Sequence, residues 1–184
     1  MTKKIGIIVG SLRKDSYNRK AAEAFANLLP EGYEATFVEV GDLPLYNEDL
    51  DVEGKVPASW TRFREELKAV DGVYFFTPEY NRSLPATIKN ALDVGSRPYG
   101  ESVWDSKPAL VVSVSQGAVS GFGANHHLRQ SLVFLNMPTL QQPEAYIGNV
   151  ANLVNEEGKF IEDTVNFFQL ITDKYVEFFE KLTK

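Results

Sequence analysis

Apolar residues are spaced in two rhythms along this chain, and the rhythms alternate. Three short runs, Ile5 to Val9, Val73 to Phe76 and Ala109 to Val114, are apolar nearly throughout and rich in β-branched and aromatic residues. Runs of this kind predict strands buried on both faces, as in a parallel sheet. Ala35 to Val40 alternates with polar residues and predicts a strand nearer an edge; Thr139 to Gln142 predicts the start of a short fifth strand. Between them lie stripes at helical spacing. Ala21, Ala22, Phe25, Leu28 and Leu29 form the first stripe. Trp60, Phe63, Leu67 and Val70 form the second, with Pro57 suited to a first helical turn. Ile88, Ala91, Leu92 and Gly95, opened by Pro85, form the third. A fourth helix is expected from about Asn125 to Met137, with Leu128, Leu132 and Leu135 on one side, and a last one from about Ile161 to Leu182. Asn152 to Lys159 has the composition of a loop.

Strands alternating with helices predict a doubly wound α/β sheet with right-handed crossovers. Five units with a short last strand suit a five-stranded parallel sheet in the flavodoxin-like order 2-1-3-4-5, with helices on both faces. A chain of 184 residues fits one such domain, residues 1–184.

Composition removes whole classes of chemistry. Without cysteine there is no disulfide, thiol redox centre or thiolate metal site, which fits a cytoplasmic protein. A net charge of -6 with no basic tract argues against nucleic acid as partner. Lys3-Lys4 followed by Ile5 to Val9 has the outline of a signal peptide, but the run is too short and ends in Ser11-Leu12-Arg13-Lys14. No later run approaches membrane-spanning length, so a soluble protein is expected.

Candidate chemistry lies in three loops that follow strands. The first is Gly10-Ser11-Leu12-Arg13-Lys14-Asp15-Ser16-Tyr17-Asn18. A loop between a strand's carboxyl end and a helix is where such a sheet binds anions. Ser11, Ser16 and Asn18 can donate to phosphate oxygens, and Arg13 offers a forked cation. The loop matches neither the dinucleotide fingerprint nor the nucleotide P-loop. The same residues also fit a polar helix cap with Arg13 solvated. The second loop, Thr77-Pro78-Glu79-Tyr80-Asn81-Arg82-Ser83-Leu84-Pro85, is stiffened by prolines and offers the Tyr80 ring. A flat ring could lie there, read by backbone amides around Glu79 to Asn81; a plain rigid connection is equally compatible. The third, Ser115-Gln116-Gly117-Ala118-Val119-Ser120-Gly121-Phe122-Gly123, allows close backbone approach through its glycines. In the order 2-1-3-4-5 all three converge at one end of the sheet, beside the switch point.

With these loops in hand, the chain resembles the NADPH-dependent FMN reductase family, the flavodoxin-like group that includes quinone, azo-dye and chromate reductases. The resemblance rests on Gly10-Ser11-Leu12-Arg13 with Ser16 and Asn18, on Thr77 to Asn81 with Ser83 and Pro85, on Lys89-Asn90-Ala91-Leu92-Asp93, and on Leu128-Arg129-Gln130 followed by Leu132 to Leu135. It implies FMN as cofactor, with its phosphate on Ser11, Arg13, Ser16 and Asn18. It implies the ring against Pro78, Glu79, Tyr80 and Asn81 with Ser83, and the Ser115, Gln116 and Gly117 loop alongside. NADPH or NADH is the implied cosubstrate, a small molecule the acceptor, and a homodimer or dimer of dimers the assembly. The chain departs from the family's usual pattern at Pro85-Ala86, at Ser120-Gly121 and at Phe122, which bears on the acceptor's pocket more than the flavin's.

Three other features carry less. His126-His127 has no third His or Cys to complete a metal site. Glu79 invites a reading as a general base, but hydride transfer through a flavin requires none, so no catalytic side chain is assigned. Phe167, Phe168, Phe178 and Phe179 are explained by a terminal helix covering the sheet. The expected activity is a ping-pong transfer of electrons from NAD(P)H to an acceptor such as a quinone; the alternative is a flavodoxin-type electron carrier. The wide apolar arc of the fourth helix, with Val133, Phe134 and Met137, predicts a contact between two copies.

Overall fold

The computed structural model describes residues 2–183. Its elements run β1 Lys3–Val9, α1 Tyr17–Asn27, β2 Tyr33–Phe37, α2 Ala58–Lys68, β3 Gly72–Thr77, α3 Ala86–Gly95, β4 Ala109–Val114, α4 Phe122–Phe134, β5 Ala145–Ile147 and α5 Glu162–Leu182. All five strands are parallel, in the order β2-β1-β3-β4-β5. This is the predicted flavodoxin-like sheet.

The apolar runs are buried on both faces because helices cover both. Every residue of β3 and β4 is buried. Their side chains alternate between two cores, as a strand's period of two requires. Val73, Phe75 and Val111 join Trp60, Phe63, Ile88, Leu128 and Leu132 under α2, α3 and α4. Tyr74, Phe76 and Val112 join Phe25, Phe168, Tyr175 and Phe179 under α1 and α5. The terminal phenylalanines do cover the sheet, as expected, through Phe168 and Phe179.

Local chemistry moved some boundaries. β2 ends at Phe37 rather than Val40, because Glu39 Oε1 accepts from its own chain at Val40 N and Gly41 N and folds it off the edge. The fifth strand is Ala145–Ile147, not a continuation of Thr139 to Gln142. Thr139 makes only a single bridge to Ala109, after which Pro143, with no N–H to donate, interrupts pairing. α4 starts and ends three residues before the expected Asn125 and Met137. Gly121, at φ 73, opens it, and Asn136, at φ 56, marks the reversal that follows.

Candidate functional site

The carboxyl ends of β1, β3 and β4 surround a cleft of about 170 Å³. Nine of the twelve residues expected from the sequence line it: Ser11, Arg13, Ser16 and Asn18 from the first loop, Pro78, Glu79 and Tyr80 from the second, and Ser115 and Gln116 from the third. Tyr17, Val114 and Val150 complete the wall. Larger hollows of about 560 and 760 Å³ lie along α4 without the first loop, and one of about 320 Å³ lies between Ser11 to Arg13 and the stretch Phe37 to Val40, without the second and third loops.

The first loop is held tightly at its root. A Cβ at Gly10 would lie 2.6 Å from Ile88 and 2.8 Å from Pro85, so only glycine lets β1 end against α3. Thr87 Oγ1 donates to the Gly10 carbonyl at 2.9 Å. Ser16 caps α1, its Oγ accepting from Arg19 N at 3.3 Å. The capping reading of this loop is therefore realised at Ser16, whose hydroxyl proton remains free to donate. Asn18 is buried, and its Nδ2 donates to the Val114 carbonyl at 3.3 Å, tying α1 to the end of β4. Its Oδ1 has no partner among the described residues. A buried acceptor in this state calls for a donor from a ligand or water. Arg13 is exposed and makes no ion pair among the described residues.

The second loop is a tight reversal in which Tyr80 and Ser83 exchange two backbone hydrogen bonds of 3.0 Å. Asn81 at φ 50 and Arg82 at φ 63 both occupy the left-handed region that this turn needs. The reversal leaves Tyr80 half-exposed at the cleft and turns the other two residues away. Asn81 does not line the cleft, and Ser83 Oγ instead meets His127 Nδ1 at 2.9 Å. Glu79 lines the cleft, yet its carboxylate accepts from Ala124 N at 3.1 Å and Arg82 Nη1 at 2.8 Å.

The third loop is pinned from below and behind. Ser113 Oγ donates to the Ser120 carbonyl at 2.7 Å, and the buried Asn125 side chain donates to Ser113 Oγ at 3.4 Å. Gly117 lies outside the cleft, where its carbonyl accepts from Ser120 N at 3.1 Å. Ser120 at φ 61 and Gly121 at φ 73 are both left-handed, a region that glycine occupies without steric cost and serine does not. Ala86 is exposed at the first position of α3 and does not line the cleft. The roles of Ser113 and Asn125 were not read from the sequence; two polar residues in an otherwise apolar strand and stripe were the signal.

His126 and His127 point to different partners. The Tyr146 hydroxyl donates to Glu144 Oε1 at 2.7 Å, so His126 Nε2, 2.9 Å away, donates to Tyr146. Burial and the Glu144 carboxylate push the Tyr146 pKa up to about 12. Phe122 leans on His126, ring centroids 4.2 Å apart. Among the described residues no cluster of three or more His, Cys, Asp or Glu could hold a metal, and no helix is long and apolar enough to cross a membrane.

Comparison with known proteins agrees with this geometry. The family model for NADPH-dependent FMN reductase matches residues 3–152. A quinone reductase of Pseudomonas putida is 57% identical over 93% of this chain and 91% of its own. A 2-hydroxy-1,4-benzoquinone reductase of Burkholderia sp is 41% identical over 95% of each. Among solved structures, the flavoenzyme NAD(P)H:(acceptor) oxidoreductase FerB from Paracoccus denitrificans superposes with a TM-score of 0.90, at 38% identity over 98% of both chains. With that match covering all three cleft loops, the chain belongs to the NADPH-dependent FMN reductase family.

Proposed function

We propose that this protein is an FMN-dependent NAD(P)H oxidoreductase, a single FMN-binding domain per chain, that passes electrons to a small acceptor of the quinone class. The observation that carries this reading is the meeting of a cationic, donor-rich loop with a ring-sized turn in one cleft, at the switch point of the sheet. The names of the relatives support the nicotinamide and the quinone, and favour an enzyme over a flavodoxin-type carrier.

The residues fit the cofactor. Unpaired Arg13 and the hydroxyls of Ser11 and Ser16 suit a phosphate. The orphaned Asn18 Oδ1 suits the hydroxyl of a polyol chain, since a phosphate oxygen has no proton to give it. The cleft of about 170 Å³ holds a phosphate and the chain next to it, while ligand pockets usually exceed about 300 Å³. Tyr80 and the loop of Ser115, Gln116 and Gly117 are the residues that would hold a three-ring system at the mouth of the cleft. FMN, when bound, supplies acceptance of hydride from the nicotinamide and release of electrons to the acceptor. The chain's own residues bind the phosphate, orient the ring and restrict water.

Two finer features belong to the same proposal. NAD(P)H and the acceptor use one ring face in turn, with either nicotinamide as cosubstrate. Two copies associate through α3 and α4, where Phe134, 89% exposed, lines a hollow with Leu84 and Leu92, and Val133, 77% exposed, lines the next one along α4. Neither packs under the terminal helix, which lies across the sheet, so their apolar surface is surplus to the fold. A chain without cysteine that draws on NAD(P)H suits the cytoplasm.

The test is a visible spectrum followed by kinetics. The purified protein is expected to bind FMN and to consume NAD(P)H steadily when a quinone is supplied, with parallel double-reciprocal lines. A colourless protein that takes up no FMN overturns the reading; intersecting lines overturn the shared face.

A further inference from the structure

α4 begins without a cap of its own. Gly121 precedes it with no side chain to offer, and its first turn holds no acidic residue. The first N–H groups of a helix have no partners within it and need acceptors from elsewhere. Here the acceptor comes from a different loop. Glu79 Oε2 accepts from Ala124 N at 3.1 Å, and Oε1 holds Arg82 at 2.8 Å. The Glu79 side chain is only 9% exposed. The two segments are pressed together: a Cβ at Gly123 would lie 2.5 Å from the Arg82 carbonyl oxygen.

What this carboxylate joins is specific. On one side is the turn from Pro78 to Ser83, which keeps Arg82 in the left-handed region where a side chain is disfavoured. On the other side is the helix start that continues directly from Ser115 to Gly121. These are the two loops between which the ring would lie. Burial works to raise the Glu79 pKa, but the Ala124 and Gly123 amides and Arg82 outweigh it, and the carboxylate ionises below its ordinary range. An ionised carboxylate at a helix amino terminus is also favoured by the helix dipole.

We propose that Glu79 is a positioning residue: its carboxylate clamps the Tyr80 turn to the start of α4, and so sets the spacing of the two loops that hold the flavin ring. This rests on reading the cleft as the FMN site. Glu79 acts through Tyr80, Asn81 and the Ser115 loop rather than by touching reacting atoms. The exposed Arg82 contributes little, since an ion pair in water is weak.

The experiment compares the parent with Glu79→Ala, Glu79→Gln and Arg82→Ala. FMN affinity, visible circular dichroism of bound FMN, amide hydrogen exchange of the FMN-free protein and its thermal midpoint are measured. Glu79→Ala is expected to weaken FMN about ten- to hundredfold, the scale of a lost charged hydrogen bond. It is also expected to alter the flavin dichroism and to speed exchange across 78–83 and 115–124. Glu79→Gln keeps an acceptor oxygen and restores most of the affinity, and Arg82→Ala stays near the parent. Parental affinity and dichroism in Glu79→Ala, with only a lower thermal midpoint, would make Glu79 a plain helix cap and overturn the proposal. If the parent itself binds no FMN, the site reading falls, and exchange decides the clamp alone. Faster exchange in both loops supports it and unchanged exchange overturns it.

Discussion

The Arg64 guanidinium grips the Asp51 carboxylate through two hydrogen bonds of 2.8 Å, and the two side chains are 10% and 3% exposed. Arg64 Nε also donates to the Val94 carbonyl at 3.0 Å. One side chain thus joins α2, the end of α3 and the long connection between β2 and α2. Asn90 and Trp60 fasten the same connection at Leu43, Pro44 and Tyr46. Removing one member of a buried pair leaves an uncompensated charge. Asp51→Ala is expected to lower unfolding free energy by about 3–5 kcal/mol, read from urea midpoints. A loss under about 1 kcal/mol would mean that water reaches Arg64 and screens the pair.

Arg13 gives the opposite expectation. It is exposed and unpaired among the described residues, so Arg13→Ala should leave the thermal midpoint of the FMN-free protein unchanged. It should weaken FMN about ten- to hundredfold, since a charged hydrogen bond contributes roughly 1.5–3 kcal/mol. Equal affinity, measured by fluorescence quenching of FMN, would remove the phosphate from this loop.

Glu79 imposes a pH dependence whose sign follows from its lowered pKa. A carboxylate that ionises more readily in the folded than the unfolded state stabilises the fold above the unfolded pKa. That contribution disappears as pH falls through the folded pKa. The stability gap between the parent and Glu79→Gln should therefore be constant from neutral pH down to the ordinary carboxylate range, and shrink below it. Urea titrations at a series of acid pH values measure this; a gap that stays constant throughout would show that the charge is not what α4 binds.

Phe134→Glu should convert an associated protein to single chains without altering far-ultraviolet circular dichroism. Phe134 is 89% exposed within one chain, so the fold does not depend on it. A glutamate in an apolar contact would be an unpaired buried charge. Light scattering at micromolar concentration is the measurement. A parent that already has the mass of one chain would remove the contact, and a mutant that stays associated would move it to another face.

The pattern of residues was enough for the sheet. A strand buried on both faces must be apolar at consecutive positions, and β3 and β4 are, so their place in the middle of the sheet was legible in the chain. Once the strand order followed, so did the meeting of the three loops, because topology alone puts the ends of β1, β3 and β4 together. What could not be read was where individual polar groups spend their hydrogen bonds. Glu79, Ser83 and Asn18 were each expected beside the ligand, and Glu79 and Asn18 do line the cleft. Which of their side-chain groups are already engaged is decided by tertiary contacts: the Glu79 carboxylate by α4, Ser83 Oγ by His127 and Asn18 Nδ2 by Val114. Thr139 has the look of a strand residue, yet Pro143 four positions later decides where pairing resumes. Helical spacing already put Leu132 on the covered side and Val133 and Phe134 off it, and the structure agrees; Met137, expected with the exposed pair, is instead buried in the core because the chain reverses at Asn136. Hydrophobic periodicity is a property of neighbours in sequence, repeated many times, and survives local errors. A hydrogen bond is a single contact between residues far apart in the chain, and its partner exists only after the elements have packed.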